Sequence, residues 1–297
     1  MTVLVTGGSG FIGSHIVDKL VEQRYTVRVF DERKPLRDDV EWIKGNLLNE
    51  NEVLEACKDI EKVYHFAAIA DVNVALTHPK LCIEVNEIGT LNLLKAATAR
   101  EVKRFILAST TWVYGRAEGV VDEETPIPPP DHMYTKTKIG QEHLVIAWHG
   151  QSGLPYTILR YGIPYGPRMR ANMAIATFVS KAMHKEPIPI FGDGCQGRCF
   201  IQIEDLANGS LAALTVAAEN QILNISSSEF VTINQIVEAL KEHFPDLLTR
   251  QLPERPQDFR GNVVSIEKAK KTIKWMPKIS FKKGLESYIE HVKCGST

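Results

Sequence analysis

The chain has 297 residues, 35 lysines and arginines against 36 aspartates and glutamates, a formal charge of −1 and 44% hydrophobic residues. A chain of this size buries roughly 75% of its unfolded surface and needs no disulfide staples. The even charge balance excludes a general binder of nucleic acid or membrane surfaces, which carries a large basic excess, and leaves room for an anionic small molecule held by a few placed arginines. In chain order, β-branched runs at 2–6, 26–30, 40–45, 62–66, 104–108 and 156–160 alternate with segments of helical period at 11–23, 84–100 and 131–148. Strand and helix repeated in this way predict an α/β fold with a doubly wound parallel sheet over residues 1–165. Pro126–Pro130 reads as a loop delivering the third of those helices. Beyond it, helical patterns near 173–184, 205–218, 232–243 and 283–292, separated by turns such as PIPIFGDGCQG, predict a smaller C-terminal α/β lobe over 166–297, with some crossover of segments.

No uncharged apolar run approaches the roughly 18 residues of a membrane span. The opening MTVLVTGGSG lacks the basic start of a signal peptide, so a cytoplasmic protein is expected. Cys57, Cys82, Cys195, Cys199 and Cys294 form an odd, scattered set, and no second pair completes a zinc pattern around Cys195 and Cys199. Reduced thiols and no metal site follow.

Two constellations carry chemistry. The first strand runs into Thr6-Gly7-Gly8-Ser9-Gly10-Phe11-Ile12-Gly13 and a helical pattern follows at once. Gly7 allows the tight turn, Gly10 lets backbone approach a pyrophosphate, and Gly13 permits close packing, while the helix start offers unpaired N–H groups at Phe11 and Ile12. Asp31 ends the second strand, where an acid accepts from adenosine ribose hydroxyls, which favours NAD; Arg33 and Lys34 follow it and keep NADP open as the alternative. In the second, Tyr134 and Lys138 stand four apart near a helix start and share a face, one loop after a strand ending Ser109-Thr110-Thr111. A free phenol titrates near ~10, so Tyr134 needs nearby positive charge to act as a base at neutral pH, and Thr110 would hold the same substrate hydroxyl.

With these residues in place, the chain resembles the extended short-chain dehydrogenase/reductase family, in its nucleotide-sugar epimerase and dehydratase branch. The resemblance covers nearly the whole chain and rests on T6-G-G-S-G-F-I-G13, H65-F-A-A68, V85-N-E-I-G-T90, S109-T-T-W-V-Y-G115, Y134-T-K-T-K138, L159-R-Y-G-I-P-Y-G-P-R168 and F191-G-D-G-C-Q-G-R-C-F200. It implies a Rossmann domain with a nucleotide-sugar lobe, tightly held NAD, and a homodimer made through a four-helix interface. It implies that Thr110, Tyr134 and Lys138 are the catalytic hydroxyl, general base and assisting lysine. It assigns Arg33, Asn46, Leu47, Phe66, Ala67, Ala68, Asn86, Ala108, Tyr161 and Ile163 to the cofactor side. Thr111, Arg170, Phe178, Arg198, Arg255 and Asp258 go to the substrate, the last three to its diphosphate and ribose.

The branch's reactions separate at the strand-five motif. Its dehydratases and decarboxylases resemble one another in carrying an acid just after the catalytic threonine, where this chain has Thr111 and Trp112. Neither side chain exchanges a carbon-bound proton at neutral pH, which leaves 4-epimerisation through a transient 4-keto sugar. G166-P-R-M-R-A-N-M-A174 resembles the stretch in which UDP-glucuronate 4-epimerases face the sugar carboxylate with an arginine, here Arg170. UDP-glucose or galactose, with or without an N-acetyl group, is the other candidate substrate. A ketosugar reductase or 2-epimerase, and a cofactor-sensing regulator without catalysis, are the competing functions. Asn46, Ile163 and Cys199 stand where relatives place aspartate, asparagine and aspartate, and the last two departures fall in the substrate pocket.

Overall fold

The structure, a computed structural model, describes residues 1–117, 119–254 and 260–295. The chain opens β1 (Thr2–Thr6), α1 (Phe11–Glu22), β2 (Thr26–Asp31), β3 (Glu41–Lys44), α2 (Glu50–Ala56) and β4 (Lys62–His65). Short helices α3 (Val72–Thr77) and α4 (Pro79–Ile83), a π-helical turn at Glu84–Ile88 and α5 (Gly89–Ala99) lead to β5 (Arg104–Thr110). A 3-10 turn at Thr111–Tyr114 and β6 (Val120–Val121) precede α6 (Met133–Ser152), β7 (Tyr156–Tyr161) and β8 (Ile163–Tyr165). There follow α7 (Ala174–Met183), β9 (Ile188–Phe191), β10 (Gly197–Gln202), α8 (Ile203–Ala212) and β11 (Gln221–Ile225). The described chain ends with β12 (Phe230–Thr232), α9 (Ile233–Lys241), β13 (Thr249–Leu252), β14 (Val263–Val264), α10 (Glu267–Ile273) and α11 (Phe281–Lys293).

Seven parallel strands lie in the order β11-β7-β5-β4-β1-β2-β3. The order reverses between β1 and β4, so their carboxyl ends part and open a crevice there. All seven residues of β5 are buried, as a central parallel strand covered on both faces requires. One face is packed by Ile16, Val17 and Leu20 of α1 with Leu206 and Ala207 of α8. The other is packed by Val53 of α2, Leu93 and Leu94 of α5 and Val145 of α6. Thus β11 and α8, from beyond residue 165, cross back into the large sheet and its cover.

The remaining segments build the smaller lobe. β10 pairs parallel with β8 and antiparallel with β12, and β13 pairs parallel with β9. Ile175, Phe178 and Val179 of α7, Ile236 and Leu240 of α9, and Phe281, Leu285 and Ile289 of α11 make its core.

The sequence pattern and the structure differ at three helices. The segment expected as one helix over 84–100 starts with the π turn, which brings Asn86 into the interior, where its carboxamide bonds both backbone groups of Ile69. The helix expected over 205–218 runs Ile203–Ala212 and gives way to a 3-10 turn at Val216–Ala218. α6 starts two residues later than expected and ends later, at Gly153, whose φ of +73° closes the helix in the left-handed conformation.

Candidate active site

A cleft of about 1050 Å³ lies between the carboxyl ends of the large sheet and the smaller lobe. Its floor is the turn between β1 and α1. Gly7 has φ +71°, and a Cβ there would stand 2.6 Å from the Ala67 nitrogen; at Gly13 a Cβ would stand 2.2 Å from the Gly7 oxygen. The turn is therefore closed to any side chain at both places. α1 opens on Gly10 with no side-chain cap, which leaves its first-turn N–H groups pointing at the cleft with the positive end of the helix dipole. These residues fit the pyrophosphate of a dinucleotide.

Asp31 holds the turn: one carboxylate oxygen accepts from the Ser9 N–H at 3.0 Å and the other from the Arg33 N–H at 3.0 Å. Arg33 lines the cleft, whereas Asp31 does not. A carboxylate has further lone pairs for a ribose hydroxyl, so holding the turn leaves that use open. Asn46 lies away from the cleft, its side-chain N–H donating to Glu32 at 2.9 Å and its oxygen accepting from the Leu48 N–H.

The opposite side of the floor is formed by β5 and α6. Thr110 ends β5, caps the 3-10 turn by accepting from the Trp112 N–H at 3.2 Å, and lines the cleft together with Tyr134. His132 caps α6 by accepting from the Thr135 N–H, which starts the helix so that Tyr134 and Lys138 both reach the cleft. Burial pushes the Tyr134 phenol up to about 12, and the Arg170 guanidinium and the Thr110 hydroxyl draw it back. Burial brings the Lys138 ammonium down to about 8, with Glu142 one turn further along α6 opposing the shift. Lys138 donates to the Ala108 carbonyl at 2.9 Å. Arg170, from across the cleft, is a second positive charge acting on the Tyr134 phenol. Trp112 stands edge-on to Tyr134, with ring centroids 6.2 Å apart, and walls the same end of the cleft.

Beneath these groups lies a buried polar framework. Arg160 of β7 grips Glu142 bidentately at 3.0 and 2.7 Å, and the Ser109 hydroxyl donates to the same carboxylate. Arg160 also donates to the Tyr114 hydroxyl, which donates to Asn224 of β11 at 2.7 Å. A second chain passes through His65: its ring nitrogens lie 2.8 Å from the hydroxyls of Thr6 and Thr90, and Thr90 donates to the Asn86 carbonyl. Asn86 donates to Thr137, which donates to the Tyr134 carbonyl at 2.8 Å. Burial brings His65 down to about 3, so it is a neutral link. The glycine turn and the Tyr134 helix are thus tied through the core.

The far wall is charged and more exposed. Arg168, at φ +66°, pairs with Asp18 of α1 at 2.7 Å, and the Pro167 carbonyl meets His15 at 3.0 Å. Arg170 pairs with Asp71 at 3.9 Å. Phe178, Phe191, Gln196, Arg198 and Phe200 complete the wall toward the smaller lobe.

Of the residues singled out in the sequence, Gly7, Gly10, Phe11, Ile12, Arg33, Phe66, Ala68, Ala108, Thr110, Tyr134, Lys138, Tyr161, Ile163, Arg170, Phe178 and Arg198 line the cleft. Leu47 is core, Ala67 backs Gly7, and Asn86 and Thr111 stand behind the lining. Arg255 and Asp258 lie outside the described residues. Sequence reasoning missed Asp71, Asn172 and the clasp made by Arg168. Arg168 lies in the Gly166-Pro167-Arg168 run, but an acid opposite an arginine from a distant segment gives no local signal.

The model of the NAD dependent epimerase/dehydratase family matches residues 3–226. The chain is 32% identical to UDP-glucuronate 4-epimerase of Thermodesulfobacterium geofontis over 98% of this chain and 95% of that one. It superposes on UDP-glucose 4-epimerase of Thermotoga maritima, solved with UDP-glucose, at a TM-score of 0.94 and 32% identity, covering 100% of each chain. On UDP-glucuronic acid 4-epimerase of Bacillus cereus, solved with UDP-glucuronic acid and NAD, it superposes at 0.91 and 31% identity, covering 99% of each chain.

Proposed function

The chain belongs to the NAD dependent epimerase/dehydratase family, and from that premise we propose that it is an NAD-dependent UDP-sugar 4-epimerase. One observation carries the reading: Thr110, Tyr134 and Lys138 meet at one end of the cleft beside the glycine cradle, while the places next to Thr110 hold Thr111 and Trp112 and so bring no carboxylate. The glycine turn, Arg33, Phe66, Ala68, Ala108, Tyr161 and Ile163 would hold NAD. Bound there, NAD supplies the acceptor for the C4 hydrogen and its donor on return.

The chain's own residues handle the proton and the pose. Thr110 orients the 4-hydroxyl, and Tyr134 takes its proton as C4 is oxidised and gives it back when C4 is reduced from the other face. For Tyr134 to act as a base, its phenol must fall from about 12. Arg170 and Lys138 supply positive charge on the two sides of it, and closing the cleft on substrate strengthens both by excluding water. Arg170 and Arg198 face the substrate from the far wall, and Phe178 packs beside them.

The test incubates the protein with UDP-glucose, UDP-N-acetylglucosamine and UDP-glucuronate separately and follows C4 by NMR. Inversion of at least one without net NADH consumption is expected. Absence of inversion together with stoichiometric NADH loss on a 4-keto sugar would make the protein a reductase instead.

The proposal includes a cytoplasmic homodimer. Five cysteines without disulfides, two of them exposed, suit a reducing compartment. Leu81 on α4, Ile88 on the π turn and Ile146 on α6 expose 42%, 47% and 38% of their surface on helices that pack side by side. Two such helix pairs meeting would bury that apolar face. Sedimentation should give twice the chain mass, and Ile146→Glu should return it to one.

A further inference from the structure

Asp71 occupies an unusual place. It lines the cleft with Arg170 and Tyr134, and its carboxylate is divided between two tasks. One oxygen caps α3, accepting from the N–H groups of Asn73 and Val74 at 2.9 and 3.4 Å. The other faces the loop after β8, accepting from the Asn172 side chain at 2.9 Å and pairing with Arg170 at 3.9 Å. The Asn172 hydrogen bond, with the capping N–H groups and Arg170 behind it, holds the Asp71 carboxyl below its ordinary range. Arg170 and Tyr134 line the same cleft, and the guanidinium draws the phenol down, so Arg170 faces the space in which the sugar would lie. A carboxylate at the sugar's C6 would enter that same space.

We propose that Asp71 is a specificity-determining residue that holds Arg170 in a neutral pair and thereby sets the cleft toward uncharged hexoses and against sugars carrying a carboxylate. The inference rests on the 4-epimerase reading, in which Arg170 faces the sugar. An anionic sugar must take Arg170 from Asp71 to gain its own partner. An uncharged sugar meets no such competition and loses nothing when the pair stays closed.

Asp71→Asn removes the charge and keeps an oxygen to cap α3, since asparagine caps helices as well as aspartate does. Calorimetric titration of the NAD-loaded protein with UDP-glucuronate and UDP-glucose reads the effect. The expected result is roughly three- to tenfold tighter binding of UDP-glucuronate, with UDP-glucose within about twofold, as suits a part-exposed charge pair. The gain should vanish in the Arg170→Ala background and shrink at high salt. Asn172→Ala, which leaves the Asp71 charge in place, should leave the ratio of the two affinities within about twofold. Equal tightening of both sugars, survival of the gain without Arg170, or an equal shift from Asn172→Ala would overturn the proposal. A protein that binds both sugars and inverts neither would overturn the epimerase reading while leaving the Asp71 ratio readable.

Discussion

The two walls of the cleft are built on different physics. On the catalytic wall, Lys138, Glu142 and Arg160 are buried to within 4% exposure and bonded through the core to β5, β7 and β11. On the far wall, Arg168 and Arg170 keep 34% and 49% of their side chains exposed and pair with Asp18 and Asp71 across the cleft. Buried ions repay their desolvation only in exact register, so the first wall has one geometry to offer. Exposed pairs cost little to open, so the second can yield to a ligand. The contrast assigns fixed chemistry to one wall and adjustable recognition to the other.

The sharpest way to break that contrast is at the base itself. Tyr134→Phe should lower turnover by about 10²- to 10⁴-fold while nucleotide-sugar affinity changes little, read by NMR and calorimetry. A comparable loss of affinity would place Tyr134 in recognition and blur the division.

Glu142→Ala tests the rigidity of the catalytic wall. It leaves Arg160 charged, buried and without its bidentate partner, and should cost about 3–5 kcal/mol in urea unfolding. A loss near zero would mean that water reaches the pair and the wall is soft.

The His65 link gives a test by pH alone. Burial lowers its folded value to about 3 from an unfolded 6.5, so between those values the unfolded chain binds the extra proton. Stability from this group is present in full above the unfolded value and is lost as pH falls toward the folded one, by up to about 1.4 kcal/mol per unit. Urea midpoints should therefore fall between pH 6 and pH 4, and less steeply in His65→Gln.

The smallest effect belongs to the far wall. Arg168→Ala breaks the pair with Asp18 and should cost about 0.2–1 kcal/mol of stability, a loss that fades with added salt. Loss on the scale of Glu142→Ala would show that the loop is as fixed as the core.

Much of this molecule was legible in its sequence because the signals are local. The turn from Thr6 to Gly13 combines strand, tight turn and helix start within a few residues, and its glycines are demanded by contacts the turn makes with itself and with Ala67. Tyr134 and Lys138 share a helical face by spacing alone, and the carboxylate-free pair Thr111 and Trp112 follows Thr110 directly. The alternation of strand and helix fixed the sheet up to β7, and the motifs along it placed the chain among its relatives.

What the tertiary structure decided depends on residues far apart in the chain. The last strand of the sheet, β11, pairs with β7 from sixty-four positions on at the Gln221–Thr157 register, and nothing in its own sequence names that neighbour. The partner of Arg170 comes from the loop after β4, and that of Arg160 from a helix earlier in the chain. That Asp31 also holds the glycine turn, both its oxygens accepting backbone N–H groups, shows only in the fold. Spacing along the chain determines which residues share a face of one element. Which charge meets which across a cleft is decided only when the elements pack, because a charge pair is a property of distance and burial that no single segment contains.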